Sequence, residues 1–430
     1  MDGEFLRDYA RFYSRAYGSI PRYTMRYHFF SEEINEEEFK NILSNSTYLK
    51  EWLGKKGYES LEDVYLGFVV KKPVKDQNSQ PLLGRTAVRP YCESSDEGYK
   101  RVFIKSKINL SLFGIPLTVE TTPFINQDEG VGVCAAAAIW ITNGLLNASF
   151  GLPPEQSLAE ITEMAHRHPG LSRTFPSQGF NIYQVIHYFK SHSLDVEVVN
   201  VKESRRVNSN FFMRFVKAFV DANIPVIAVL NMYQNRNDES PAGRHAAVIT
   251  GYKFDPRTRR VVALYVHDDQ IGPYAKVSFS LDDDGKSIEW KYEKNSEWND
   301  MGYTKISVPL LIVPVYPKIR LAFSKVYGYA DELLRRYSGY EYDISLKNVR
   351  DYKQYLWMTQ KKFWWHEPYE KMLVPRTKWE LLELNMPRFL WIIRTYKKDR
   401  HVADVVLDAT AVHPRVLFNV YYPTDNTTKP

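Results

Sequence analysis

The sequence predicts an α+β protein in three parts, and three observations predict it. Between about residues 133 and 315 helix-type patterning comes first and strand-type patterning second, the order of an α+β fold with an antiparallel sheet. Ahead of that stretch, apolar spacing changes from helical to alternating within the first 115 residues. A chain of 430 residues also exceeds one ordinary core. The expected parts are an α+β lead-in domain over 1–115, a central domain over 116–318 and an α+β extension over 319–430.

The first segment reads as a helix, with Phe5, Tyr9, Phe12 and Tyr13 on one face and Arg7, Arg11 and Arg15 along another. It is expected to lie on the surface with an aromatic underside. Asn35-Glu36-Glu37-Glu38 is a capping-box pattern opening a second helix toward Ile42 and Leu43. A third helix over 48–53 should stop at Gly54 or Gly57. Strands are then expected over 64–70, 85–88, 101–104 and 117–121.

In the central part, helices are expected over 133–146, from the capping box at Ser157-Leu158-Ala159-Glu160 to about His168, and over 182–191 and 211–221. Strands should follow over 225–230, 245–252, 261–267, 275–279 and 307–315. In the tail a helix is expected over 324–337, then an aromatic-rich segment over 355–365, then strands over 389–396, 402–407 and 415–421. Residues 423–430 should fray, and Asn426-Thr427-Thr428 carries no weight as a glycosylation acceptor.

Composition narrows the function classes. Apolar residues make up 44% and charged residues 25%, an ordinary globular balance that argues against disorder. The net charge of +6 is mild for this length, and no long Lys/Arg cluster points to nucleic acid. Only Cys92 and Cys134 are present, which argues against a disulfide-stapled secreted scaffold and for a reducing, cytoplasmic setting. MDGEFLRDYARFY has no apolar core of the signal-peptide kind. The strongest apolar run, 308–315, is too short and proline-broken to span a bilayer, so no stable membrane insertion is expected.

The chemistry centres on Gln127-Asp-Glu-Gly-Val-Gly-Val-Cys134-Ala-Ala-Ala-Ala-Ile-Trp140, where a cysteine follows a Gly-rich loop and opens an apolar helix. A helix N-terminus, with its partial positive charge and unpaired N–H groups, favours a thiolate, the form that acts as nucleophile. Gln127 would place an amide beside the sulfur, and with the Cys134 backbone N–H it would bind a tetrahedral oxyanion. A cysteine nucleophile needs a base, and the base needs a group that holds its tautomer. Gly243-Arg244-His245 puts a histidine at the start of an apolar strand, and the next expected strand ends in His267-Asp268-Asp269-Gln270-Ile271-Gly272. If those strands pair through a hairpin at 254–258, Asp268 lies close to His245.

Glutamine, then cysteine at a helix start, then a histidine strand, then a strand ending in aspartate: this order resembles the papain-like cysteine peptidases. It is most similar to the subfamily of bacteriocin-leader-cleaving (double-glycine) peptidase domains of bacterial exporters. Their His-x-x-Val-x-x-Gly-Tyr strand is matched by His245-Ala-Ala-Val-Ile-Thr-Gly-Tyr252, and their Asp-Pro-x-x-Gly by Asp268-Asp269-Gln270-Ile271-Gly272, with Asp269 where proline is usual. Ala135 stands where Gly or Trp usually follows the cysteine. The resemblance covers about 120–315. It implies a papain-like core, with a helical part carrying the cysteine and an antiparallel sheet carrying histidine and aspartate. It implies acyl transfer by Cys134, His245, Asp268 and Gln127 on a peptide or protein substrate, with no cofactor and no metal. Water as acceptor makes a peptidase or amidase; an amine acceptor makes a transglutaminase-like or deamidating acyltransferase. A papain-like binding module with a dead site is the non-enzymatic rival.

Other residues are weighed against these. Asp269 competes with Asp268, because a slip of one residue exchanges strand faces; motif position favours Asp268. His267 is expected to be exposed at a strand end. His166 and His168 suit capping of a helix end better than metal binding. Trp364-Trp365-His366-Glu367 suits packing better than a substrate groove, Gly67-Phe68 and Leu83-Gly84-Arg85-Thr86 make no phosphate loop, and Cys92 lacks a helix start and is expected to be inert. The flanking domains are large enough that one of them is expected to shape the cleft.

Overall fold

The computed structural model describes residues 2–15, 19–75, 79–91, 98–128, 130–150, 156–170, 173–201, 208–281, 287–293, 297–335, 339–359, 364–366, 378–398 and 400–422. It is mixed helix and sheet, as the α+β reading requires, and none of its helices is long and apolar enough to cross a membrane among the described residues.

The N-terminal part holds α1 (Gly3–Arg11), β1 (Met25–Phe30), α2 (Glu36–Ser44), α3 (Ser46–Lys56), α4 (Leu61–Val64), β2 (Tyr65–Lys75), β3 (Pro81–Val88), β4 (Lys100–Phe103), β5 (Ser106–Leu112) and β6 (Ile115–Thr121). The capping box at Asn35 forms in both directions with Glu38. Helix α3 stops at Gly57, whose φ of 81° lies in the left-handed region open to glycine. β1, β2 and β3 form one sheet and β5–β6 a hairpin. They enclose a core of Ile42, Trp52, Leu53, Tyr65, Phe68 and Val119.

The central part holds α5 (Cys134–Phe150), α6 (Leu158–Ala165), α7 (Ile182–Ser191), β7 (Asp195–Asn200), α8 (Ser209–Val220), β8 (Val226–Tyr233), β9 (Gly243–Asp255), β10 (Arg260–Asp268), β11 (Gly272–Leu281), β12 (Ile288–Tyr292), α9 (Glu297–Asp300) and β13 (Lys305–Val315). The expected antiparallel sheet closes on itself. β10 pairs with both β9 and β11, and the path returns through β12, β13 and β8 to β9 as a six-stranded barrel. Closure pairs strand edges that an open sheet would leave exposed. It depends on β12, which alternates as Ile288, Trp290 and Tyr292 but is too short to stand out in the sequence. β4 adds to β9 and β7 to β13 on the outside.

Two features tie the N-terminal segment to this centre. β4 lies before residue 115 yet hydrogen-bonds to β9, and the 115/116 division falls inside β6. Helix α1 packs on α6. Arg7 and Arg11 pair with Glu160 at 3.0 Å each, Arg11 also reaches Glu163, and Asp8 accepts the Ala159 backbone N–H at 2.9 Å. Its aromatic underside is buried as expected, with Phe5 in the central core. The arginine face meets acidic partners on α6.

The C-terminal part holds α10 (Phe323–Arg335), β14 (Tyr340–Asn348), α11 (Val349–Met358), β15 (Trp364–His366), α12 (Lys378–Glu383), β16 (Phe389–Lys397), β17 (Arg400–Asp408) and β18 (Val416–Tyr421). Its sheet runs β14-β16-β17-β18-β15. Phe323 and Trp391 pack edge-on against Phe215 and Phe219 of α8, so this sheet shares the central core.

Candidate active site

The cysteine loop is built by backbone pairing and one buried carboxylate. Asp128 and Gly132 exchange backbone hydrogen bonds at 2.7 and 2.6 Å, which folds 128–132 into a tight loop just before the helix. Val133 then accepts the N–H groups of Ala136 and Ala137, starting α5 with Cys134 as its first residue. Ahead of these, the Cys134 and Ala135 N–H groups have no acceptor within the helix. Gly132 is required by space. A Cβ there would stand 2.9 Å from Ala136 Cβ and 3.1 Å from Leu158 Cβ. Gly132→Ala is therefore expected to destabilise the protein by about 1–3 kcal/mol, as overpacking does, and to slow alkylation of Cys134; urea unfolding and thiol labelling measure the two.

The Asp128 carboxylate is held from the N-terminal part. Its Oδ1 accepts the Tyr13 hydroxyl and the Gly130 N–H, and its Oδ2 faces Lys72 Nζ at 3.5 Å, with both ionic side chains 2% exposed. Burial beside Asp128 pushes the Tyr13 hydroxyl pKa well up, so it remains a donor. Neither Tyr13 nor Lys72 carried a signal in the sequence, because each lies far along the chain from the loop it pins. Tyr13→Phe is expected to cost about 1–3 kcal/mol, since a buried acceptor loses a donor, with chemical denaturation as the measurement.

The candidate base sits on the opposite wall. His245 is the third residue of β9, whose partner on β8 is Leu230. Its Nε2 lies 3.0 Å from Asp268 Oδ1, and the residue lines the same cleft as Cys134. With Nε2 committed to Asp268, Nδ1 is the nitrogen left for the sulfur. Trp298 covers the imidazole edge-on, with ring centroids 4.7 Å apart. The Asp268 carboxylate is fully engaged. Oδ1 also accepts the N–H groups of Gln270 and Ile271, and Oδ2 accepts the Tyr292 hydroxyl at 2.5 Å. Burial opposes charge on His245, but the carboxylates of Asp268 and Asp269 and the hydrogen bond to Asp268 outweigh it, and its pKa lies well above the usual histidine value. Burial likewise works to raise Asp268, yet His245, Tyr292 and the Gln270 N–H hold it below the usual carboxylate range.

Of Asp268 and Asp269, the hydrogen bond to His245 goes to Asp268, the residue that motif position favours. Asp268 makes the closer contact, but Asp269 Oδ1 is also 3.5 Å from Nε2. Gln127 lines the same cleft as Cys134 and His245, so the four residues singled out from the sequence converge. Tyr292 and Trp298 also belong to the site; their type and spacing matched ordinary core aromatics, which left the sequence silent about them.

The cleft has a volume of about 950 Å³ and runs between the loop leading into α7 and strands β8, β9 and β13. A second groove of about 930 Å³ meets it at Gln127 and Gln270. Phe12, Pro73, Val74 and Pro81 of the N-terminal part line that groove opposite Ile271 and Met301. The N-terminal part therefore lines the groove that adjoins the cleft.

Several expectations are corrected or placed. His267 is not exposed: it is 1% exposed, its Nδ1 lies 3.3 Å from Thr250 Oγ1 and its Nε2 3.3 Å from the Thr122 carbonyl, and burial lowers its pKa to about 3. Strand alternation turns it to the face opposite His245's partner Asp268. His166 does cap α6, its Nδ1 2.9 Å from the Thr162 carbonyl. Cys92, Glu367, Asn426 and the side chains of 364–366 lie outside the described residues. Among the described residues one group could hold a cation: the ligand atoms of His245, Asp268 and Asp269 lie within 4.8 Å of one another. A divalent ion there would take the His245 nitrogen that Asp268 now holds.

No protein-family model matches this sequence, and no curated protein matches it either, so function has to be read from the chemistry of Cys134, His245, Asp268 and Gln127.

Proposed function

We propose that this chain is a cysteine-nucleophile acyl-transfer enzyme, a papain-like peptidase or amidase that opens a peptide or isopeptide bond. The observation that carries the reading is His245, buried on the Asp268 carboxylate and lining one cleft with the cysteine at the start of α5. A helical half carrying the nucleophile, facing a barrel that carries base and aspartate, supports a papain-like core. A thiol nucleophile also goes with a reducing, cytoplasmic setting.

Asp268 favours His245 as the imidazolium, so the thiol proton sits on Nδ1 while Nε2–H stays on Asp268. The Cys134 sulfur adds to the carbonyl carbon, and the oxygen gains negative charge beside Gln127 and the first-turn N–H groups of α5. The imidazolium then gives its proton to the leaving amine as the C–N bond breaks. In the second half His245 takes a proton from water, hydroxide adds to the thioester, and the C–S bond breaks to release the acid.

The test is electrophile labelling of the full chain, followed by comparison of protein termini after exposure to wild type and to Cys134→Ala. Fast labelling at Cys134 relative to Cys92, with new termini only for wild type, supports a peptidase. A mass shift in a target protein without new termini replaces it with an acyltransferase or deamidase. Equal labelling of the two cysteines replaces it with a binding module.

A further inference from the structure

The groove of about 930 Å³ shares Gln127 and Gln270 with the cleft that holds Cys134 and His245, and the triad makes no use of it. Its apolar lining comes from two parts of the chain: Phe12, Val74 and Pro81 from the N-terminal part, Ile271 and Met301 from the barrel and its connections. None of these five is fully buried, and Met301, between α9 and β13, is 44% exposed. Apolar surface left wet in a concavity is worth about 25 cal/mol per Å² to a ligand that covers it. The lining is also fixed in place. Phe12 packs so closely on the nucleophile loop that a Cβ at Gly130 would stand 2.7 Å from its ring. At Gly272, by contrast, a Cβ would meet nothing within 4 Å, so this part of the groove is open space.

Position says what fills it. Cys134 and His245 line the cleft and not the groove, whereas Gln127 lines both. A carbonyl attacked by the Cys134 sulfur, with its oxygen beside Gln127, therefore lies where cleft and groove meet. A single amide or a chain end needs only the cleft. A bond inside a longer chain leaves a continuation on each side, and the groove is the second path away from the junction. We propose that the groove holds the substrate chain beyond the scissile bond, so that the substrate is an extended polypeptide segment with apolar side chains, gripped on both sides of the bond. The inference rests on the acyl-transfer reading of Cys134 and narrows it to hydrolysis within a chain: the C–N bond breaks, and water supplies hydroxyl to the acyl half and a proton to the amine half. Consecutive side chains of an extended segment point opposite ways, which suits a groove whose apolar groups come from two walls.

The test uses the full chain and a proteome-derived peptide pool. A peptide that wild type cuts is resynthesised and shortened from each end, and Val74→Glu and Met301→Glu place a charge on each wall of the groove. Shortening either end is expected to lower kcat/KM by about tenfold or more. Each variant is expected to lower kcat/KM on the full-length peptide by about 10–100-fold, the effect of leaving an apolar side chain unburied. On the peptide shortened at the groove side the variants should match wild type within about twofold, because the lost contact is no longer made. Iodoacetamide, which needs only the thiol, should alkylate Cys134 in both variants at the wild-type rate. The proposal is overturned if wild type cuts minimal peptides as fast as long ones, or if the variants keep the wild-type ratio between long and shortened peptide. If Val74→Glu does not fold, the more exposed Met301→Glu decides. Wild type that alkylates faster at Cys134 than at Cys92 but cuts no peptide overturns the extended-chain substrate and leaves acyl transfer standing. Failure of the acyl-transfer reading looks different and takes the proposal with it: no peptide is cut, and Cys134 alkylates no faster than Cys92.

Discussion

Cys134→Ala is expected to lower turnover by a factor on the order of 10⁴–10⁶, the scale seen when a nucleophile that works as part of a unit is removed. Stability should change by no more than about 1 kcal/mol, because Cys134 is only partly buried and the loss is one sulfur atom. His245→Ala should cost turnover by a similar factor, and the double variant no more than either single one, since base and nucleophile act on the same proton. The measurement is kcat/KM on a substrate found by terminus comparison. Additive losses would show that the two residues do not act together.

Asp268→Ala carries the second large effect, and it falls on both activity and stability. Removing the carboxylate takes from the buried His245 its closest partner, and strips an acceptor from Tyr292 and from the N–H groups of Gln270 and Ile271. Loss of one member of a buried pair costs about 3–5 kcal/mol, and loss of the orienting group about 10²–10⁴ in kcat/KM. Asp268→Asn should recover part of the activity, because its side-chain oxygen still accepts Nε2–H. The stability deficit of Asp268→Ala has a definite pH dependence. The folded pKa of Asp268 lies below the unfolded value, so its contribution is fully present above about pH 4 and is lost as pH falls through the folded pKa. Urea titrations of wild type and variant should thus diverge at neutral pH and converge in acid. A gap that persists unchanged in acid would mean that packing, not the charge, sets the cost.

Much of the local structure was legible before any coordinates. Ile182–Ser191 forms as the spacing predicts, and the capping boxes at Asn35 and Ser157 open their helices. The strands carrying His245 and Asp268 pair through the expected hairpin, with Arg260 opposite Asp255. What failed did so for identifiable reasons. β1, β5, β7, β12, β14 and β15 were not expected, because strand patterning is weak evidence where a strand gains its stability from neighbours that are distant in sequence. His267 was misplaced for a related reason: a polar residue at a strand end is exposed only if nothing packs beyond it, and here Thr122 and Tyr274 do.

The sequence by itself determined the chemical kinds in play: one cysteine after a Gly-rich loop at a helix start, one histidine opening an apolar strand, and aspartates closing the next. Those are local patterns, set by capping, turn formation and strand periodicity over a few residues. Only the tertiary structure decided that both aspartates reach the imidazole, that Tyr292 and Trp298 enclose them, and that Tyr13 and Lys72 hold the nucleophile loop. The closing of β8–β13 into a barrel decided it, because closure and the docking of the N-terminal segment bring together groups more than a hundred residues apart, as Tyr13 and Asp128 are. No periodicity along the chain encodes such a meeting; it follows from burying one shared core.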